Sequence, residues 1–266
     1  MSYKCLWATR TWPHPNFFAR QRELSKHTQR ISEAGVFQGL SGSQLREVFF
    51  QSRRRTFSPD ETVFSRGHCG DHLILIQSGL VKLIQRSRSG GAIILRIAGS
   101  GETIGAHGET PNSGSSCFAC AMNPCETLMW SRQDFEMLER KYPVISANVC
   151  GELSRRLHDF EHRFAGYVNE KAKRRLAAGL LNLLKSPALS STGANTVTLR
   201  RDELAQFSGV SVFTVSRTLS EWENSGLVNL DTHAITVPNI DRFAYKTGLA
   251  GGGDELLAKA ASAALP

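Results

Sequence analysis

The sequence predicts an α+β protein with an N-terminal β jelly-roll, one long helix and a C-terminal winged helix-turn-helix. Three observations support this prediction. Short apolar runs alternate with glycine-bearing turns over residues 56–130, apolar residues then recur every three or four positions up to about residue 169, and two short helical patterns flank Gly209. We divide the chain into a basic arm, a β domain, a long helix, a winged unit and a flexible tail, over residues 1–33, 34–143, 144–169, 170–245 and 246–266.

The β domain is predicted from its short, evenly spaced apolar runs. Evenly spaced short antiparallel strands favour a sandwich or a jelly-roll barrel, which closes its own edges. We interpret this unit as a sensor domain. The predicted strands are residues 62–64, 72–76, 80–85, 92–97, 117–122 and 126–130.

The long helix contains an apolar seam at heptad spacing. Large apolar residues at such a seam, with charged residues beside it, are typical of a two-stranded coiled coil. We therefore expect a homodimer, while one amphipathic helix packed on its own β domain stays an alternative. The seam consists of Cys150, Leu153, Leu157, Phe160, Phe164 and Tyr167.

The C-terminal unit has the pattern of a helix-turn-helix. Gly209 stands where a tight turn needs a residue without Cβ, and Ser211 can cap the next helix, residues 211–223. The inward positions of the second helix are Val215, Leu219 and Trp222, which leaves Val212, Phe213, Ser216 and Arg217 outward. Residues 226–230 and 234–237 then predict a β-hairpin wing. The second helix of such a motif enters the DNA major groove, so we expect double-stranded DNA as a partner.

Charge supports a nucleic-acid partner only weakly. The formal net charge is +8, and a basic chain favours polyanions. Most of the excess lies in residues 1–58, with ten Lys and Arg against three Asp and Glu, outside the helix-turn-helix.

Several other function classes are excluded on simple grounds. No stretch approaches the roughly 20 apolar residues of a membrane helix, so no membrane partner is expected. Six cysteines without dense regular spacing indicate free thiols and a cytoplasmic location. The sequence contains no phosphate loop, nucleophile elbow or paired metal motif, so we do not expect an enzyme.

Over roughly residues 35–240 the sequence resembles the Crp/Fnr family of bacterial transcription regulators. Its N-terminal half contains FSPDETVFSRG at 57–67, LILIQSGLVKL at 73–83 and GETIG at 101–105. Its C-terminal half contains VTLRRDELA at 197–205 and VSVFTVSRTL at 210–219. Both blocks in this order, with a helix between them, are highly specific.

The resemblance implies a cyclic-nucleotide-binding-like sensor domain and a parallel dimer on a palindromic DNA site, with RNA polymerase as a further partner. Arg217 takes the position of the family's guanine-reading arginine, Thr214 and Arg201 those of phosphate contacts, and Ser216 that of a base-proximal serine. The chain departs from the pattern at Val212 and at Phe213, where family members commonly have glutamate. An apolar side chain can contact a thymine methyl but cannot accept a hydrogen bond from cytosine N4.

The resemblance also implies what the sensor domain lacks. Members that bind cyclic nucleotides use a glutamate for the ribose and an arginine for the phosphate after the GETIG strand. Here Ala106 follows that strand, and residues 113–116 read SGSS. Without charge-assisted contacts to the phosphate, we expect no tight binding of cyclic AMP, and we assign no effector-binding residue.

A few residues are candidate ligands for a metal, an iron–sulfur cluster or haem. Cys117, Cys120 and Cys125 could hold zinc or an iron–sulfur cluster, although residues three apart on a strand face opposite sides. His107 lies where haem-binding members of the family have a haem ligand. We predict no cofactor, and a haem, metal or redox-responsive regulator stays an alternative, as does a sensor whose winged helix makes protein contacts.

Overall fold

The structure is a computed structural model, and it describes residues 27–65, 68, 70–86, 91–105, 117–185, 195–232 and 234–249. Their arrangement confirms the predicted α+β architecture. Two four-stranded antiparallel sheets form the N-terminal β-roll, in the orders β1-β8-β3-β6 and β2-β7-β4-β5. The strands are β1 Arg53–Phe57, β2 Thr62–Phe64, β3 His72–Ser78, β4 Val81–Arg86, β5 Ala92–Ala98, β6 Thr103–Gly105, β7 Cys117–Ala121 and β8 Cys125–Ser131.

Strand β3 is buried on both faces, which explains its continuous apolar sequence. Ile74 and Ile76 point between the two sheets, where they pack with residues such as Val81 and Ala119. Leu73 and Leu75 point the other way, onto helices that cover the roll. A strand between two apolar layers requires an apolar residue at every position, unlike a strand with one solvated face.

Part of the predicted N-terminal arm is a helix. Residues 27–33 form helix α1, and the 3-10 turn Gly35–Phe37 follows it. Ile31 is fully buried, in a cluster with Phe37 and Trp130. The sequence of these residues shows no sustained period, and the helix is ordered by apolar contacts with distant parts of the chain.

Strand β1 was not predicted. Its first four residues, RRRT, are all exposed, and only Phe57 is buried. Because β1 is an edge strand that pairs with β8 alone, its side chains show no alternation between apolar and polar residues. Charged residues on an edge strand also discourage pairing with another chain.

The remaining helices lead from the roll to the C-terminal unit. Helices α2 Gly42–Phe50 and α3 Arg132–Lys141 cover the roll, and α4 Pro143–Asn169 matches the predicted long helix within a residue. The C-terminal helices are α5 Ala172–Lys185, α6 Arg201–Ser208, α7 Val212–Asn224 and α8 Ile240–Lys246. A small antiparallel sheet, in the order β10-β11-β9, comprises β9 Thr196–Thr198, β10 Asn229–Leu230 and β11 Ala234–Thr236.

The first residues of the predicted tail belong to the C-terminal unit. Lys246 ends helix α8, Arg174 donates a 2.6 Å hydrogen bond to the Gly248 carbonyl oxygen, and Leu249 packs on the core of the unit. The tail prediction is therefore wrong for residues 246–249, because these contacts follow from chain reversal at the end of α8. None of the described helices is both long and apolar enough to cross a membrane.

Two glycines of the roll allow a matched test of packing. Gly79 and Gly101 both have positive φ, at 91° and 83°. A Cβ on Gly79 would lie 2.5 Å from the Pro124 carbonyl oxygen and 2.6 Å from Cys125 Sγ, whereas one on Gly101 would meet nothing within 4 Å. Both substitutions impose the same left-handed strain, but the first also forces atoms apart in the core.

We expect Gly79→Ala to lower the free energy of unfolding by about 3 kcal/mol, the sum of left-handed strain and overpacking. Gly101→Ala should cost only the strain, about 1–2 kcal/mol. Urea unfolding of both variants measures the difference. Equal losses would show that the close approach of Gly79 to Pro124 does not limit packing.

Candidate nucleic-acid interface

The helix-turn-helix forms as the sequence predicts, and the turn explains its glycine. Gly209 ends helix α6 with φ 62° and ψ 39°, and a Cβ there would lie 2.6 Å from a ring carbon of Tyr167. Ser211 caps helix α7, with its hydroxyl oxygen accepting from the Thr214 N–H at 3.1 Å. Val215, Leu219 and Trp222 are buried, as their spacing requires. Both the turn and the cap are local features, so the sequence was sufficient to predict them.

The outer face of α7 brings the predicted DNA-reading residues together. Val212 is 47% exposed and Phe213 is 75% exposed, which is unusual for large apolar side chains without a partner. Arg201, at the start of α6, reaches across to donate to Ser216 Oγ at 3.4 Å. Thr214 is half-buried beside the Ser211 hydroxyl, at 2.9 Å. The face is therefore partly apolar at its N-terminal end and polar further along.

Arg217 is exposed and held by a carboxylate. Its Nε lies 3.7 Å from Glu221 Oε1, and the other oxygen of Glu221 accepts from Lys173 at 2.7 Å. The hydrogen bond from Lys173 is the main reason that the pKa of Glu221 is lowered. Glu221 is therefore ionised at neutral pH and biases Arg217 toward its own side of the helix. Sequence reasoning missed this role of Glu221, although its spacing of four residues from Arg217 was visible.

A β-hairpin wing lies beside α7. Strands β10 and β11 pair antiparallel, and the Asp231 N–H donates to the Ala234 carbonyl oxygen at 2.8 Å. The Leu230 N–H donates to Glu223 Oε1 at 3.3 Å, which ties the wing to the end of α7. The predicted wing is confirmed.

Helix α4 has a stripe of exposed apolar side chains. Leu153, Leu157, Phe160 and Phe164 are exposed as the predicted seam requires, and Val168 extends the stripe. Cys150 is also exposed. Tyr167, which we placed on the seam, instead donates a hydrogen bond to the Phe207 carbonyl oxygen of its own chain. Tyr167 is half-buried in the single chain and Val168, the next residue, is exposed, so the place of Tyr167 on the seam stays a prediction.

The cysteines of the roll lie on different faces. On strand β7, Cys117 packs between the two sheets and Cys120 packs on the opposite face, as the strand period predicts. Burial raises the pKa of Cys120. Burial also raises the pKa of Cys125, and hydrogen bonds from its thiol to the Leu80 and Asn123 carbonyl oxygens partly offset this effect. A raised pKa disfavours the thiolate that metals require. His107, Ala106 and residues 113–116 lie outside the described residues.

The C-terminal unit contacts the roll through a polar link that we did not predict. Lys82, on strand β4, donates to Glu203 of α6 at 2.7 Å, and both side chains are buried. Arg163 of α4 donates to the Ile94 carbonyl oxygen of β5 at 3.2 Å, and its guanidinium lies 4.3 Å from the centre of the Phe207 ring. The only signal in the sequence was a lysine within an apolar strand.

Comparisons with known proteins agree on both halves of the chain. Residues 54–142 match the cyclic nucleotide-binding domain family, and residues 174–245 match the Crp-like helix-turn-helix domain family. The chain is 29% identical over 202 residues to the cyclic AMP receptor protein of Thermus thermophilus, covering 76% of this chain and 91% of the relative. It is 27% identical over 218 residues to a CRP-like cAMP-activated global transcriptional regulator of Mycobacterium tuberculosis, covering 81% and 97%.

Solved structures show the same fold. The c-di-GMP responsive global regulator CLP of Xanthomonas campestris matches with a TM-score of 0.65 and 23% identity, over 75% of this chain and 100% of that one. FixK2 of Bradyrhizobium japonicum matches with a TM-score of 0.63 and 16% identity, over 73% and 96%. The two domain matches in this order, with transcription regulators as relatives over nearly their whole length, show that the chain belongs to the Crp/Fnr family and contains its helix-turn-helix DNA-binding domain.

Proposed function

We propose that the protein regulates transcription as a homodimer that binds a palindromic DNA site through the outer face of helix α7. The observation that supports this most strongly is that Val212, Phe213 and Arg217 are exposed together on a capped helix beside a wing. Large apolar side chains exposed on a helix that also presents an arginine suit the edges of base pairs, which offer both methyl groups and acceptors.

In this proposal Arg217 reads a guanine. Its guanidinium can donate to O6 and N7 at once, and Glu221 keeps the side chain extended along the helix until DNA binds. Arg201 and the capped N-terminus of α7, with Ser211 and Thr214, contact phosphates, because unpaired N–H groups and the helix dipole favour an anion there. Ser216 lies between these two functions, within 3.4 Å of Arg201.

Val212 and Phe213 set a base preference that differs from that of family members with a glutamate. Neither side chain can accept a hydrogen bond from cytosine N4. Both can pack on the methyl group of thymine, and both are exposed enough to do so. In family members with a glutamate at the position of Phe213, that glutamate reads a cytosine of the half-site. We expect thymine in place of this cytosine in the half-site of the present protein.

The dimer is proposed from the apolar stripe on α4. Leu153, Leu157, Phe160, Phe164 and Val168 are all more than a third exposed in the single chain. A second copy packed along the same stripe would remove this area from water and would place two recognition helices on one face of DNA. RNA polymerase is the further partner that this function requires.

The signal is proposed not to be cyclic AMP. The relatives from Thermus thermophilus and Mycobacterium tuberculosis are named for that ligand. This chain has no glutamate or arginine corresponding to the ribose and phosphate contacts that such family members use, and a redox or haem signal stays the alternative. The raised pKa values of Cys120 and Cys125 weigh against their serving as thiolate ligands.

The DNA-reading role of Arg217 has a matched control in Arg201. We expect Arg217→Ala to relax the preference at one base pair of each half-site, at a cost of about 1–3 kcal/mol on the best sequence. Arg201→Ala should weaken all sequences alike and reduce the salt dependence, as loss of a phosphate contact does. Selection of binding sites from a random DNA library, followed by affinity measurements at several salt concentrations, separates the two effects.

Unchanged sequence preference after Arg217→Ala would contradict the proposed reading mechanism. If the wild-type protein selected no sequence at all, the winged helix would have to serve protein contacts instead.

The dimer interface is tested by a pair of neighbouring substitutions on α4. Leu157→Glu places a charge on the apolar stripe and should convert the dimer to a monomer at micromolar concentration, because the charge would lose its hydration in the interface. His158→Glu changes the next residue, whose ring lies edge-on to that of His162, and should leave the dimer intact. Sedimentation velocity measures both. A dimeric Leu157→Glu protein would place the interface elsewhere, since that residue is exposed in the single chain.

Cyclic AMP should not bind tightly. Titration calorimetry with micromolar protein should show no saturable heat, because the charge-assisted contacts to the cyclic phosphate are missing. A micromolar dissociation constant would overturn this part of the proposal and leave the DNA-binding part untouched.

A further inference from the structure

A buried ion pair joins the β-roll to the first helix of the helix-turn-helix. Lys82 Nζ lies 2.7 Å from Glu203 Oε1, and the two side chains are only 8% and 7% exposed. These residues are 121 positions apart in the sequence and belong to different domains. Desolvated charges of this kind are costly unless each is fully paired, so the geometry of the contact is strongly constrained.

Two further charges complete the contact. Asp60 of the roll lies 4.0 Å from Lys82 and 3.7 Å from Arg200, and Arg200 lies 3.3 Å from Glu203. The second oxygen of Glu203 accepts from the Arg200 N–H at 3.0 Å, within the cap of α6. Each domain thus supplies one acid and one base to the contact, and Arg200 also lies 3.6 Å from Asp202 of its own domain.

An apolar contact surrounds the charges. Ile84, Ile94 and Ile97 of the roll share one core cluster with Leu204 and Phe207 of α6. Arg163 of α4 donates to carbonyl oxygens of both partners, Ile94 at 3.2 Å and Phe207 at 3.4 Å. Apolar contacts are not directional and would tolerate sliding of α6 on the roll. The ion pair would not.

We propose that Lys82 and Glu203 are positioning residues that fix the orientation of the recognition helix relative to the dimerisation helix, although neither touches DNA. The inference rests on the proposed function, because a palindromic site requires two recognition helices about one DNA turn apart. When the contact is broken, each DNA-binding domain stays folded but gains freedom relative to its roll. Once the first DNA-binding domain has bound, the second then reaches its own half-site less often. The effective concentration of the second domain at that half-site is therefore lower.

The experiment compares a full palindromic site with a single half-site. Lys82→Met keeps the length of the side chain, and Glu203→Gln keeps the oxygen that caps α6. Each variant and the double variant should lose about tenfold in affinity for the full site while half-site affinity stays unchanged, as expected for a lower effective concentration. The double variant should lose no more than either single variant, because all three lack the same contact.

Lys141→Met is the matched control. Lys141 also forms an ion pair with a glutamate, Glu47, but both residues belong to the roll and its helices. This variant should retain the wild-type ratio of full-site to half-site affinity. Equal losses on both sites in the Lys82 or Glu203 variants would mean that the pair acts through DNA contact or folding, and would overturn the proposal.

Calorimetric unfolding gives a readout that does not depend on DNA. The wild-type protein should unfold in one transition, and the Lys82→Met and Glu203→Gln proteins in two, as roll and DNA-binding domain separate. One unchanged transition in both folded variants would overturn the positioning role. A wild-type protein that shows no preference for a palindromic site over a half-site would instead count against the proposed function. The calorimetric result would still decide the positioning role of Lys82 and Glu203.

Discussion

Helix α4 has to form three different kinds of contact along its 27 residues, and the arrangement of the other elements depends on this constraint. Near its start Ile145 and Val149 are buried against the helices and sheet of the roll. Its middle presents the exposed apolar stripe, and its last turns place Arg163 and Tyr167 against Phe207 of the helix-turn-helix. One helix therefore contacts the β-roll, the proposed partner copy and the DNA-binding domain.

Arg156 shows how firmly this helix is tied to the roll. Its guanidinium donates to the Thr103 carbonyl oxygen of strand β6 at 2.7 Å and pairs with Glu152 at 2.8 Å. Burial and the nearby Arg96 lower the pKa of Arg156 to about 10, so the side chain stays protonated at neutral pH. Strand β6 precedes the segment in which other family members bind cyclic nucleotides. Strand β6 therefore connects that segment, along the chain, to the contact with Arg156 of helix α4, which also contacts the DNA-binding domain.

Features that depend on neighbouring residues could be predicted from the sequence, and features that depend on distant ones could not. The turn at Gly209 and the cap at Ser211 each follow from a few adjacent residues. Helix α1 is held by Ile31, which is buried in a core built from distant residues, and Tyr167 donates to a carbonyl oxygen 40 positions away, at Phe207. Periodicity alone cannot distinguish an apolar residue that meets its own chain from one that meets a second copy.

The Lys82–Glu203 pair illustrates why a buried charge can be kept at a position where an apolar residue would pack as well. Its net effect on stability is small when both desolvation costs are included, and an apolar pair of equal volume could be more stable. In our proposal the ion pair restricts the orientation of α6 on the roll, because Asp60, Arg200 and the cap of α6 also hold its two charges. In the proposed dimer, the orientation of the two recognition helices matters more than the added stability of either domain. In such a dimer, a domain that is folded but misaligned still binds one half-site, whereas specificity for the palindrome requires both recognition helices to be correctly placed.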